Sequence, residues 1–200
     1  MKQSDNFLPP GGFQDAPLAR ELSENTQRLQ NVRNAVIQKP ESTRIFTVAN
    51  QKGGVGKTTS AVNLAVALAE KGMYVLVIDL DPQGNASTAL GIEHHMGVES
   101  IYHALVRGTP LTELIQQSPE SANLVVVPST LMLASAEMDL YPHQDKEYRL
   151  KNAIKLYLET AQVKPDYVFI DCPPSLGQLT VNAFTAATEV LIPIHVSTTH

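Results

Sequence analysis

Cysteine occurs once in this chain, at Cys172, and that single thiol removes two classes of protein. No disulfide closes within the chain, so it is not a small stapled secreted domain, and the usage fits a reducing cytosol. Nor does it supply a four-cysteine cluster site, since even two copies bring only two thiols. Cys172 reads as a small buried residue beside a rigid turn, not as a nucleophile. Long apolar runs are missing too. None approaches the roughly 18 to 20 residues that a membrane-spanning helix needs, and the N-terminus, with Asp5, Pro9, Pro10, Gly11 and Gly12, has no secretory apolar core. An excess of positive charge is also absent: 15 Lys and Arg against 20 Asp and Glu leave a net charge of −5, which argues against coating nucleic acid by bulk electrostatics. The 6 histidines show no metal-ligand spacing, and there are no internal repeats. A soluble, cytoplasmic protein is therefore the expectation, and 200 residues at 43% hydrophobic and 18% charged suit one α/β domain with a real core.

Two compositional zones follow one another. Residues 1–43 are polar and turn-rich at first and read as an extension. Leu18, Leu22, Leu29, Val32 and Val36 line one face of a helix from about Pro17 to Gln38, a thin stripe that Pro40 ends. From residue 44 to 200 the pattern alternates between strands and helices. Strands are expected at Ile45–Asn50, Met73–Leu80, Leu124–Val127, Asp166–Asp171 and Glu189–Ile194. Helices are expected at Thr58–Lys71, stopped by Gly72, and near Val98–Val106, Leu111–Gln116, Leu131–Met138 and Leu179–Ala187. A well-patterned amphipathic helix carries Leu150, Ala153, Ile154, Tyr157, Leu158 and Ala161. Asp81 to about Gly91 reads as a polar loop. Such alternation implies a mostly parallel sheet flanked by helices, with ligands at the carboxyl ends of its strands.

The segment Lys52-Gly-Gly-Val-Gly-Lys-Thr-Thr59 directly follows the first apolar strand. It departs from the plain G-x-x-x-x-G-K-[ST] phosphate loop because Gln51 stands where the first glycine would be, and Lys52 is the added element. Gly53, Gly54 and Gly56 let backbone N–H groups approach phosphate oxygens, and the following helix aims its positive end at the same anion. Lys57 then reaches the β- and γ-phosphates, and the Thr58 hydroxyl is placed to ligate Mg²⁺.

Three carboxylates are expected at the same end of the sheet. Asp79 and Asp81 sit two apart at the end of the second strand, so both project to one side if strand geometry persists. Asp79 would then hold a water of the Mg²⁺ shell, and Asp81 would position or deprotonate the attacking water. The alternative is a pair that caps a turn before Pro82. Asp171 ends the apolar run Tyr167-Val-Phe-Ile170, the pattern of a Walker-B acid that completes the metal shell.

Lys52–Thr59, Asp79-Leu-Asp-Pro-Gln-Gly-Asn85 and Phe169-Ile-Asp-Cys-Pro-Pro174 occur in this order. As a set they resemble the ParA side of the ParA/MinD family, deviant Walker A (SIMIBI-type) P-loop ATPases that segregate chromosomes and plasmids. The resemblance covers about Arg44 to Ile194. It implies ATP and Mg²⁺ as cofactors, with nucleotide contacts along Lys52, Gly53, Gly54, Val55, Gly56, Lys57, Thr58 and Thr59, and metal contacts at Thr58, Asp79 and Asp171. It implies Lys52, Lys57 and Asp81 as the catalytic set within a homodimer that closes on ATP. Lys52 would reach the partner's nucleotide as a compact point charge, and Gly53 would lie where the halves approach. It also implies non-specific DNA binding, a ParB-type partner that stimulates hydrolysis, and cycling on and off the nucleoid.

The chain departs from that family in its N-terminal extension and in ending at His200, just past a strand. The resemblance thus implies a C-terminally shortened product, with the DNA-contacting regions and most of the adenine pocket beyond it. That keeps a nucleotide-gated binding switch or an inactive fragment open as alternatives. A MinD-like enzyme would need a membrane-binding C-terminal helix, and an amidotransferase-type synthetase a carboxylate-substrate site. Arg20, Arg28, Arg33, Lys39 and Arg44 are the nearest thing to a basic cluster, readable as a solvated face or as a DNA patch.

Overall fold

The computed structural model describes residues 17–194. The chain divides into two compact units, residues 1–38 and 39–200. In the first unit the described element is helix α1, Pro17–Asn34. It stops short of the expected end at Gln38, so Val36 lies outside it and is 91% exposed. Leu18, Leu22 and Leu29 are exposed as well, whereas Val32 and Arg33 have side chains outside the described set.

Among the described residues, the second unit carries a six-stranded sheet. Its strands are β1 Arg44–Val48, β2 Val75–Asp79, β3 Gln116–Gln117, β4 Leu124–Val127, β5 Tyr167–Asp171 and β6 Glu189–Leu191. They lie in the order β3-β4-β2-β5-β1-β6, and every pairing is parallel except the β3 edge. The expected strands are all present; β1 begins one residue earlier than its predicted span and ends two earlier, and the others equal their predicted spans or are trimmed at the ends. β3 is a finding the sequence did not announce, because two glutamines carry no strand periodicity. β2, β4 and β5 are buried along their whole length, which explains their unbroken apolar character.

Alternation divides the strand side chains between two faces. On one face β2, β4 and β5 pack against α2, Lys57–Glu70, whose buried Ala61, Ala65 and Ala69 and the buried Val75, Val77, Val126 and Phe169 of the strands stand apart from the core on the other face. On the other, Leu76, Ile78, Val125, Val168 and Ile170 join a core with α6, Arg149–Thr160, and α7, Gln178–Ala186. The amphipathic reading of α6 holds, with Leu150, Ile154 and Tyr157 buried.

Local departures cluster between Asp81 and Leu140. The stretch read as a plain loop contains a short helix, α3 Asn85–Ala89. The segment near Val98–Val106 carries a π-helical turn, His103–Arg107, closed by Gly108 at φ +77° and held by Arg149, whose Nε donates to the Leu105 carbonyl at 2.7 Å. Helix α4 is only Leu111–Leu114, and Leu131–Ser135 is a 3₁₀ turn running into α5, Ala136–Asp139. No helix among the described residues is long and apolar enough to cross a membrane.

Candidate nucleotide site

β5 lies between β1 and β2, so the segments that follow β1 and β2 flank the end of β5. The first is the loop from Asn50 to Gly56. Asn50 shapes its entrance: its Oδ1 accepts from the Lys52 amide at 2.9 Å, and its Nδ2 donates to the Pro193 carbonyl at 2.8 Å. Gly54 and Gly56 adopt φ +71° and +86°, a region closed to most side chains, and nothing lies within 4 Å of where their Cβ atoms would be. The loop is therefore a concavity open to a ligand. Gly56 also caps α2 without any side-chain bond, which leaves the first amides of that helix for another acceptor.

Lys57 is 8% exposed, and its Nζ donates to the Lys52 carbonyl at 3.4 Å across the loop. The Thr58 hydroxyl donates to Asp171 Oδ2 at 2.7 Å, although 113 residues separate them. Asp171 Oδ1 is buried and has no hydrogen-bond partner. Burial raises the Asp171 carboxyl from its ordinary 3.8 to about 7; the Thr58 bond and Lys57 oppose this, while Asp79 and Asp81 add to it.

Asp79 and Asp81 make different contacts, and only Asp81 lines the cleft described below. Strand geometry ends at Asp79, so the two-residue period that would align them ends there too. Asp79 is fully buried and bound by its own chain: Oδ1 accepts from the Asp81 amide at 3.2 Å, and Oδ2 from the Ser87 amide and hydroxyl at 2.8 and 2.7 Å. It caps the first turn of α3 through the Ser87 amide. Its pKa is raised by burial, against the Ser87 bonds. Asp81 instead heads a tight turn, accepting from the Gln83 amide at Oδ1 and from the Gly84 amide at its carbonyl, at 3.0 and 2.9 Å.

Gly53, Gly54, Gly56, Lys57, Thr58, Thr59, Asp81, Gln83, Asn85 and Pro174 together line a cleft of about 570 Å³. Val55 is half-buried within the loop, and Lys52 is exposed at its entrance. Sequence reasoning gave no role to Gln83, Asn85 or Ser87; the spacing Asp79-x₇-Ser87 over a hidden helix start was the available signal. Cys172 is buried beside Pro173, and burial raises its thiol pKa. In the proposed basic cluster, Lys39 pairs with Asp166 at 3.2 Å and Arg44 with Glu189 at 2.6 Å, while the Arg33 side chain is outside the described set. Among the described residues no cluster of His, Cys, Asp and Glu is arranged to hold a metal ion by itself.

The Ser87 hydroxyl also accepts from the Ser129 amide at 3.2 Å. Ser87→Ala therefore removes a bond to Asp79 and leaves a buried amide unpaired. The expected loss is roughly 2 to 4 kcal/mol, measured as a fall in urea unfolding free energy at pH 7; a change below about 0.5 kcal/mol would show that this network contributes little.

Residues 43–199 match the model of the AAA domain family. The chain belongs to that family. The chain is 47% identical over 151 residues to the sporulation initiation inhibitor protein Soj of Bacillus subtilis, covering 76% of this chain and 58% of Soj. It is 46% identical to the chromosome partitioning protein ParA of Myxococcus xanthus, covering 76% of this chain and 52% of that relative. Among solved structures, a cobyrinic acid a,c-diamide synthase from Mycobacterium smegmatis with bound ATP analog and magnesium matches at TM-score 0.70 and 39% identity, over 76% of this chain and 60% of that one. This AAA-domain chain thus spans a little over half the length of the curated relatives it matches. The mostly parallel sheet and P-loop expected from the sequence are those of this family.

Proposed function

We propose that this chain is the nucleotide-binding part of a partitioning ATPase, with residues 44–200 carrying the P-loop domain and 1–43 an extension. One observation carries the reading. An open glycine loop, a buried ammonium and a hydroxyl–carboxylate pair with a spare carboxylate oxygen meet at one strand end. The donor set fits magnesium, which prefers few protein oxygens plus phosphates and water. Thr58 and Asp171 are the residues that would hold it, and the orphaned Oδ1 of Asp171 is otherwise an uncompensated buried acceptor. Bound Mg²⁺ with ATP would supply charge neutralisation on the phosphates.

The chain's own groups then take distinct tasks. Loop amides from Gly53 to Thr59 bind phosphate oxygens, and Lys57 adds a point charge among them. Asp81, held by its turn at the rim of the cleft, orients the attacking water. Lys52, exposed at the entrance, is free to reach the nucleotide of a second copy. The likeness to Soj and ParA supports a cycle in which ATP drives dimerisation, non-specific DNA attachment and release by a ParB-type partner, in cytoplasm and on the nucleoid.

The test is ATP turnover with DNA and a ParB-type protein, taken with sedimentation. Asp81→Ala should lower kcat by about a hundredfold with nucleotide binding retained. Lys52→Ala should bind ATP and stay monomeric. Wild-type turnover matched by Asp81→Ala would end the mechanistic claim. The likeness to a structure named a synthase favours a second reading, ATP-driven activation of a carboxylate; that reading predicts turnover indifferent to DNA and raised by a carboxylate acid.

A further inference from the structure

We propose that His94 is a positioning residue for the turn that carries Asp81. The idea deepens the reading of Asp81 as the group that orients water, and rests on it. Gly84 closes that turn through its amide bond to the Asp81 carbonyl at 2.9 Å. It does so at φ +65°, and it is buried although Gln83 and Asn85 beside it are exposed. What covers it is the imidazole of His94: a Cβ at position 84 would meet His94 Nδ1 at 2.7 Å and Cε1 at 3.0 Å, with the Ser129 carbonyl at 3.5 Å on another side. The missing side chain of Gly84 is thus the room in which the His94 ring sits.

The ring is tied down at its other nitrogen. His94 Nε2 lies 2.9 Å from Thr88 Oγ1, and Thr88 Oγ1 donates to the Gly84 carbonyl at 3.0 Å. A hydroxyl has one hydrogen, so with that hydrogen on Gly84 the imidazole is the donor, and Nε2 carries the proton. The relay runs His94 to Thr88 to Gly84, while Nδ1 and Cε1 of the same ring occupy the space beside that glycine. The segment bearing His94 is itself anchored, by buried Ile92, whose amide donates to the Ser87 carbonyl at 2.9 Å, and by Gln116, which donates to the Glu93 carbonyl at 2.9 Å. A turn with an exposed tip is in this way clamped between α3 and the His94 segment, and Asp81 is held at its start.

The test compares wild type with His94→Ala, His94→Gln, Thr88→Val and the double variant His94→Ala/Thr88→Val. Amide hydrogen exchange at Gln83 and Gly84 is read by NMR without nucleotide, with the Ile78 amide in β2 as the internal measure of global stability. Steady-state ATPase assays on the same proteins separate kcat from KM. His94→Ala should speed exchange at Gln83 and Gly84 by about tenfold or more while Ile78 is unchanged. It should lower kcat about fivefold with KM within about twofold. His94→Gln, whose amide donates to Thr88, should restore most of both. The double variant should do no more harm than the worse single one, because both act through one relay. Unchanged exchange at Gln83 and Gly84 in His94→Ala overturns the proposal, and so does a rise shared equally by Ile78. If wild type turns over no ATP, the nucleotide reading falls separately, and the exchange arm alone decides the role of His94.

Discussion

Lys57→Ala is expected to weaken Mg-ATP binding by about a hundredfold, equal to roughly 3 kcal/mol. A charge-assisted bond to phosphate contributes on the order of 1.5 to 3 kcal/mol. Lys57 sits at the upper end because it is only 8% exposed and its ammonium is already held over the loop by the Lys52 carbonyl. Little ordering cost remains when phosphate arrives. Fold stability should not fall in step. Lys57 opens α2, where a cation opposes the helix dipole, and alanine is a better helix former there. The variant should therefore melt at or slightly above the wild-type temperature while failing to bind. Arginine is not expected to rescue it, since a planar fork does not replace a compact ammonium in a loop of this size. Calorimetric titration with a non-hydrolysable ATP analogue checks this; an affinity within about threefold of wild type removes Lys57 from the phosphate site.

The second large effect concerns Asp171 and pH. In the metal-free protein burial raises this carboxyl to about 7. A folded-state pKa above the unfolded value of 3.8 means that the folded chain keeps a proton the unfolded chain has lost. The neutral form favours folding, so its contribution is full below pH 3.8 and is lost as pH rises towards 7. The total is on the order of 4 kcal/mol. Asp171→Asn removes that dependence and should leave the apo protein more stable than wild type at pH 8 by a few kcal/mol. The same variant should lose magnesium-dependent nucleotide binding, because the carboxylate charge that would hold the metal is gone. In wild type, Mg-ATP affinity should drop about tenfold for each pH unit below 7, as protons compete with the metal for Asp171. Unfolding curves at pH 5 and 8 with and without Mg-ATP test both halves. A flat pH response in apo wild type, or retained magnesium dependence in Asp171→Asn, defeats this account.

Most of the fold was legible because its signals are local. β2 and β5 announce burial on both sides by unbroken apolar runs, and α6 by its spacing of Leu150, Ile154 and Tyr157. Misreadings fell where a polar segment takes its structure from a distant partner. α3 looked like a loop because its start is fixed by a carboxylate outside the helix, Asp79 at the end of β2. β3 exists only because β4 offers an edge to two glutamines. Asp79 and Asp81 show the same dependence: two aspartates two apart look equivalent in the sequence, but the strand stops after the first, which bonds Ser87 and the Asp81 amide, while the second lines the cleft.

The residues themselves determined the phosphate loop, since a contiguous run of glycines, lysines and threonines between strand and helix carries its geometry in its own backbone torsions. They also determined the alternation that makes a parallel sheet. Only the tertiary structure decided strand order, with β5 between β1 and β2, and hence that Thr58 meets a carboxylate 113 residues away. It alone decided the proton affinity of Asp171 and the separate fates of Asp79 and Asp81. Strand neighbours and desolvation are set by which apolar faces pack together across the whole chain, and no local stretch of sequence carries that information.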